Sequence, residues 1–142
     1  MGDQLGTRNT NSNEKCRTRA RRKGDDIAER LVCLAAGVLK LLPTVRRQVG
    51  VANLVKQLEK CAPAGGANYE EARGAESPAD FVHKIRIALK EVRETRYWLR
   101  LLARAELTTH HHDLQCFIDE ADQLIAILTA SAQTARRRGE RA

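Results

Sequence analysis

Apolar residues recur at intervals of three and four along most of the chain, and this spacing constrains the fold more than any other feature. It is typical of α-helices that bury one face. The apolar series occupy residues 27–42, 51–62, 81–102 and 114–128. No useful stretch alternates with a period of two, so no sheet is expected. Helices joined by short links predict an all-α fold, an antiparallel up-down-up-down four-helix bundle.

Local signals predict where the first two helices end. Asp25 or Asp26 is expected to cap the first helix and to interact favourably with its dipole. Pro43 and Thr44 are expected to end or kink that helix. Pro63 and the glycines after it predict a break in the second helix, because an interior proline costs about 3 kcal/mol.

The third helix has the clearest start signal in the chain. Ser77 is expected to be its N-cap, Pro78 its first residue and Asp80 an acid in its first turn. Thr108 or Thr109 is expected to cap the fourth helix. These signals place both helices before any packing is considered.

The formal net charge of +7 is concentrated at the two ends of the chain. Residues 1–24 hold seven basic and two acidic side chains, residues 25–132 hold 14 and 15, and residues 133–142 hold four and one. The first segment has almost no apolar side chains, so we expect a disordered basic tail. The expected organisation is therefore this tail, a four-helix bundle over 25–132 and a basic C-terminal tail over 133–142.

The N-terminal tail carries six basic residues within the nine positions 15–23. Such a segment can neutralise phosphates and release counterions, as a nucleic-acid-binding arm does. It can equally be a solubilising extension, or sequence upstream of the true start codon. Both interpretations stay open from the sequence.

A second basic feature lies on the third helix, where basic residues and one tyrosine recur at steps of three and four. At about 100° per residue, all of them fall within about 40° of one line. Such a row can track a nucleic-acid backbone while the tyrosine stacks on a base. Alternatively, it pairs weakly with acids of the fourth helix or of a neighbouring subunit. The row consists of Arg86, Lys90, Arg93, Tyr97, Arg100 and Arg104.

No motif predicts catalysis, a cofactor or a metal. His110, His111 and His112 are consecutive, so on a helix they point about 100° apart and cannot share one ligand sphere. Of these three histidines, only His112 lies at metal-binding helical spacing from a cysteine, Cys116. The chain has no nucleophile–base–orienter set and no GxGxxG or GxxxxGK[ST] loop. The sequence therefore predicts a non-enzymatic protein without a small-molecule substrate.

The sequence predicts a cytoplasmic protein that does not enter the membrane. The N-terminus lacks the profile of a secretory signal. The longest apolar run, residues 31–39, is shorter than the roughly 20 residues that a membrane span requires. The four cysteines include no close pair, which favours reduced thiols.

Some apolar side chains of the first and third helices extend beyond what one bundle core needs. Trp98 and Leu101 lie off both the main apolar face and the basic row, and Leu39 and Ile87 add to this surface. Tryptophan is enriched at protein interfaces. We therefore expect a homo-oligomer.

Several separated blocks in the middle of the chain follow a recognisable order and spacing. They are residues 54–58, 64–72, 74–77, 80–85, 87–91, 94–95 and 97–102. These blocks resemble the family of four-helix-bundle proteins that are encoded in 23S rRNA intervening sequences. The resemblance covers about residues 27–132 and leaves both tails outside.

This resemblance implies a closed bundle that assembles as a ring-like homopentamer, with a second helix that runs on through residues 63–66. It implies structural or oligomer-organising roles for Asn68, Glu71 and Glu94, and no established activity or cofactor. Relatives of the family include the accessory variability determinant of diversity-generating retroelements, a basic pentamer that partners a reverse transcriptase and binds nucleic acid.

Together these features predict a bacterial accessory factor of the 23S rRNA intervening-sequence type that binds RNA or a ribonucleoprotein. The alternative is a purely structural or protein-binding oligomer, for example a reverse-transcriptase partner, with incidental basic tails. Trp98 joins the three polar residues above as an oligomer-forming candidate. Besides the row on the third helix, the candidate nucleic-acid-binding residues are Arg17, Arg19, Arg21, Arg22, Lys23, Arg136, Arg137 and Arg138.

Overall fold

The computed structural model describes residues 23–142, and these residues form four α-helices without a strand. This confirms the predicted all-α class. The helices are α1 (Asp25–Val45), α2 (Ala52–Arg73), α3 (Pro78–Arg104) and α4 (His111–Arg141).

Consecutive helices run antiparallel because the loops between them, residues 46–51, 74–77 and 105–110, are short. At one end of the bundle, Asp25 at the start of α1 forms an ion pair with Arg73 at the end of α2. Each helix packs against the next, and α1 also packs more lightly against α4. The helices therefore form a closed square with up-down-up-down topology.

The core lies along the axis of this square, and every helix contributes one apolar face to it. Burial of these side chains is the main favourable contribution to folding. The largest fully buried apolar side chains are Leu31, Val38, Leu42, Val45, Leu58, Ile85, Leu99, Leu102, Leu114, Leu124 and Leu128.

One polar contact lies inside this core, between α2 and α3. The Thr95 hydroxyl donates to the Glu91 carbonyl at 2.9 Å and lies 3.3 Å from the sulfur of Cys61. Thr95 and Cys61 are each 1% exposed. The hydroxyl is thus satisfied within its own helix, which removes the cost of burying it.

The predicted break at Pro63 is wrong, because α2 continues through this residue to Arg73. Pro63 faces solvent, whereas Ala62 and Gly65 on the inner side are buried. A Cβ built on Gly65 would lie only 2.8 Å from Cγ2 of Val92, so α2 and α3 approach closely here. This packing offsets the hydrogen bond that the proline removes. The continuous helix is the one implied by the family resemblance.

The predicted start of α3 is confirmed. Ser77 is the N-cap, and its Oγ accepts a hydrogen bond from the backbone N–H of Asp80 at 3.1 Å. Pro78 is the first helical residue, where the missing N–H has no cost.

The predicted caps of the first and last helices are wrong. Gly24, with a φ of 89°, is the N-cap of α1, and Asp25 and Asp26 lie in the first turn. The N-cap of α4 is His110, without a side-chain cap. Thr108 is buried, and its hydroxyl oxygen accepts from the His110 N–H at 3.2 Å, so it organises the preceding loop instead.

The segment predicted to be a C-terminal tail, residues 133–142, continues α4 as far as Arg141. A Cβ built on Gly139 would lie 3.6 Å from Cβ of Pro78, so this end of α4 passes beside the start of α3. The expected N-terminal tail lies outside the described residues, apart from Lys23 and Gly24.

Two of the cysteines in the described residues are free thiols, Cys61 in the core and Cys116 on the surface. Cys33 is half-buried. None of the helices in residues 23–142 is long and apolar enough to cross a membrane.

Candidate nucleic-acid interface

The basic row on α3 forms a solvent-facing surface, which we call the α3 ridge. It consists of Arg86, Lys90, Arg93, Tyr97, Arg100 and Arg104, and every one of these side chains is exposed. The core residues of α3, such as Leu99, lie on the opposite side. At a rise of 1.5 Å per residue, the ridge is about 27 Å long.

The five cations of the α3 ridge have no carboxylate within 4.0 Å among residues 23–142. The neighbouring Arg96 differs, because it pairs with Asp122 of α4 at 2.6 Å. The structure therefore pairs α4 acids with the flank of α3, and leaves the ridge charges available to a ligand. Uncompensated cations on one face attract an anionic polymer.

Tyr97 lies in the middle of the ridge and is 59% exposed. Its ring meets that of Trp98 in an edge-to-face arrangement, with centroids 5.0 Å apart and an interplanar angle of 76°. The indole N–H of Trp98 donates to Oε1 of Glu94 at 3.3 Å. The half-buried Trp98 ring thus contacts the exposed Tyr97 ring, and Glu94 on the same helix holds Trp98 in place.

The basic residues near the end of α4 form a second exposed group. Arg136 pairs with Glu140 at 3.4 Å. Arg137, Arg138 and Arg141 have no such partner in the part of the chain that the structure describes. Sequence reasoning did not select Arg141, although its spacing of four from Arg137 places the two on one side of a continued helix.

Of the N-terminal candidates for nucleic-acid binding, only Lys23 lies within the described residues. Lys23 is exposed and lines the same cleft as Ser131 of α4, so it lies at the same end of the bundle as the α4 arginines. Arg17, Arg19, Arg21 and Arg22 lie outside the described residues.

The candidate oligomer-forming residues occupy α2 and α3. The Asn68 side-chain amide donates to the Ala64 carbonyl at 2.8 Å, one turn earlier in the same helix. Glu71 is exposed, and Glu94 and Trp98 are half-buried. The hydrogen bonds that Asn68, Glu94 and Trp98 form within residues 23–142 lie inside single helices. The outer surfaces of α2 and α3 therefore remain for contacts with another chain.

An open cleft of about 900 Å³ lies where the start of α1 meets the end of α2. The Tyr69 hydroxyl donates to the Gly24 carbonyl at 3.4 Å, and burial raises the pKa of Tyr69. Arg73 binds both Asp25 and Glu70, and the hydrogen bond to Asp25 raises the pKa of Arg73. These polar groups bind each other and connect the start of α1 to the end of α2.

The histidine-rich start of α4 does not assemble a metal centre. Residues 23–142 contain no group of three or more His, Cys, Asp or Glu side chains that could hold a metal ion. Nε2 of His112 lies 3.7 Å from Sγ of Cys116, and both side chains are exposed.

Comparison with known proteins places this bundle in a family. The sequence model described as "23S rRNA-intervening sequence protein" matches residues 26–130, which span all four helices. The chain belongs to this family.

A solved structure supports this assignment. It is a protein of unknown function from the S23 ribosomal protein family of Bacteroides thetaiotaomicron VPI-5482. The two chains are 29% identical and superpose with a TM-score of 0.68, over 75% of this chain and 97% of the other. No curated protein matches the chain.

Proposed function

We propose that this protein is a non-enzymatic bacterial accessory factor that binds RNA or a ribonucleoprotein in the cytoplasm. The observation that carries this proposal is the α3 ridge, whose five cations are exposed without an acidic partner in the described residues. The arginines at the end of α4, with Lys23 beside them, supply a second basic surface.

Phosphate binding by these cations has a measurable consequence. Each neutralised phosphate of a single strand contributes about −0.7 to the slope of log affinity against log salt. If all five ridge cations bind phosphates, the ridge alone contributes a slope of about −3.5. Affinity for RNA should therefore fall steeply with salt.

The test compares two triple variants by fluorescence anisotropy with a labelled RNA between about 50 and 200 mM salt. Arg93→Gln, Arg100→Gln and Arg104→Gln together should reduce the steepness of the slope by about 2. The control replaces exposed cations away from the ridge, Arg47, Lys56 and Lys60, with glutamine, and should leave most of the slope intact. Equal loss in both variants would refute ridge binding.

The basic termini require a separate comparison. A chain that lacks residues 1–22, and a full chain with Arg137→Gln, Arg138→Gln and Arg141→Gln, should each bind RNA more weakly than the unaltered protein. RNA binding that is unchanged in both would remove the termini from the proposal.

We also propose that the protein is a homo-oligomer, and that the pentamer implied by the family resemblance is its state. Exposed apolar side chains support an interface, among them Leu39 at 41% and Leu101 at 38% exposure. Light scattering should give a multiple of the 15.9 kDa chain mass. Trp98→Glu should weaken the assembly, and Asn68→Ala, Glu71→Ala and Glu94→Ala should do so to a smaller degree. A monomer mass for the unaltered protein would contradict the proposal.

A second function is a purely protein-binding or structural role, with a reverse transcriptase as one kind of partner. The observation in its favour is apolar surface on α1, where Val32 is 56% exposed and lies near Leu39 on the same side of the helix. Absence of RNA retention at low salt would favour this role over RNA binding.

A further inference from the structure

Tyr97 has surroundings that no other aromatic residue of the described chain shares. It lies one helical turn from Arg93 on one side and from Arg100 on the other, and all three side chains are exposed. The second tyrosine, Tyr69, is 5% exposed and sits in the core. The two arginines have no acidic partner among residues 23–142. An aromatic ring that stays exposed between them contributes little to the core of its own chain, so its face is available to a ligand.

The orientation of this ring is set by its neighbours. Trp98 contacts it edge to face, and Glu94 holds the Trp98 indole by a hydrogen bond. A side chain already restricted in this way loses less conformational entropy when a flat group stacks on it. Phosphate-binding cations on both sides of a held ring match the arrangement of single-strand-binding proteins.

The shape of the ridge distinguishes between single-stranded and double-stranded RNA. In a duplex the base faces are covered by their neighbours, and the major groove of A-form RNA is too deep and narrow for side chains to read. An unpaired base offers a free face that can stack on an aromatic ring. A ridge of about 27 Å suits the lower part of the range of single-strand sites, about 4–16 nucleotides.

We propose that the α3 ridge recognises unpaired RNA, with one base stacked on Tyr97 and the neighbouring phosphates bound by ridge cations. This inference rests on the proposed RNA binding and names the form of RNA that is bound. Tyr97 is the contact residue. Trp98 and Glu94 are positioning residues that act through the orientation of the Tyr97 ring.

The first experiment measures the affinity of the full chain for a single-stranded RNA oligonucleotide and for a duplex of the same length. Tyr97→Ala should weaken single-strand binding about 5- to 150-fold, the usual loss for one stacked base. Tyr97→Phe keeps the ring and should bind as the unaltered protein does. Val49→Ala removes an exposed apolar side chain from the loop between α1 and α2, away from the ridge, and serves as the control. Duplex binding should be the same in all of these variants.

A direct readout comes from Trp98, the only tryptophan of the chain. Because its ring contacts Tyr97, its fluorescence should change when the single-stranded oligonucleotide binds and should stay constant with the duplex. The Tyr97→Ala variant should lose this change even at saturating oligonucleotide.

The positioning role of Glu94 has its own test. Glu94→Gln keeps an oxygen acceptor for the indole N–H and should preserve the ratio of single-strand to duplex affinity, whereas Glu94→Ala should lower this ratio. The ratio cancels effects that change both affinities alike, namely the loss of a negative charge near the ridge and any weakening of the homo-oligomer by Glu94→Ala.

The outcomes separate this inference from the proposed function. If neither RNA form binds, RNA binding itself fails. If RNA binds with salt dependence but Tyr97→Ala matches the Val49→Ala control, or if duplex binds as tightly as single strand, the proposed function stands and this inference is overturned.

Discussion

The two adjacent glycines of α2 allow a sharp test of how closely α2 and α3 pack. A methyl group added at Gly66 meets Cβ of Leu31 at 3.5 Å, an ordinary contact. A methyl group added at Gly65 meets Cγ2 of Val92 at 2.8 Å, and the β-branched valine has little freedom to move away. Both substitutions to alanine change the intrinsic helix propensity equally, so their difference measures packing alone.

The magnitudes follow from these contacts. Gly66→Ala should raise the free energy of unfolding by about 0.8–1.0 kcal/mol, the helix-propensity difference between glycine and alanine. Gly65→Ala has the same gain but adds an overpacking cost of about 1–3 kcal/mol. Its net effect is thus between roughly zero and 2 kcal/mol of destabilisation. The two variants should differ by about 1–3 kcal/mol.

Chemical denaturation followed by circular dichroism measures both values, with thermal melting as a second assay. Adding Val92→Ala removes the atom that collides, so the cost of Gly65→Ala should largely disappear in the double variant, as a double-mutant cycle reports. Equal stabilisation by Gly65→Ala and Gly66→Ala would refute the close approach of α2 and α3, and with it the reason given for the continuous helix through Pro63.

The remaining predictions concern single side chains and one ion pair. Ser77→Ala removes the N-cap of α3 and should lower the free energy of unfolding by about 1 kcal/mol in a urea titration. A maleimide should label Cys116 in the native protein but Cys61 only after unfolding, as peptide mass spectrometry would show, because Cys61 is 1% exposed and burial raises its pKa. The pKa of the Cys61 thiol is therefore lower in the unfolded state than in the native state. The free energy of unfolding should fall as pH rises through the ordinary thiol range, and it should fall less in Cys61→Ala. The bidentate pair of Arg30 and Glu120 is partly exposed, so a double-mutant cycle with glutamine at both positions should give a coupling energy below about 1 kcal/mol.

The helical periodicity of the sequence predicted most of the fold, and it also located the α3 ridge. A row that repeats at steps of three and four keeps its direction on any α-helix, so the exposure of Arg86 and Arg104 on one side of α3 followed from spacing alone. The start of α3 was equally local, because Ser77, Pro78 and Asp80 act within one turn. Such features need no knowledge of the neighbouring helices.

The features that the sequence did not predict depend on contacts with neighbouring helices or side chains. Pro63 breaks a helix by propensity, and the packing of Gly65 against Val92 overrides that propensity. Arg96 pairs with Asp122 while Arg93 stays unpaired among the described residues, and only the position of α4 beside α3 distinguishes them. The edge-to-face contact of Tyr97 with its neighbour depends on side-chain orientation, which spacing does not define.

One side of the square of helices, between α1 and α4, has no loop that connects its two helices. Three sides join helices that are neighbours in sequence, whereas the fourth, between α1 and α4, joins Arg30 to Glu120 across 90 positions. Closing this side has the largest loop-closure entropy, and it is also the lighter contact. The three hairpins can therefore form before α1 reaches α4, and the same side is where the folded bundle opens most easily. The contact between α1 and α4 is therefore expected to form last in folding.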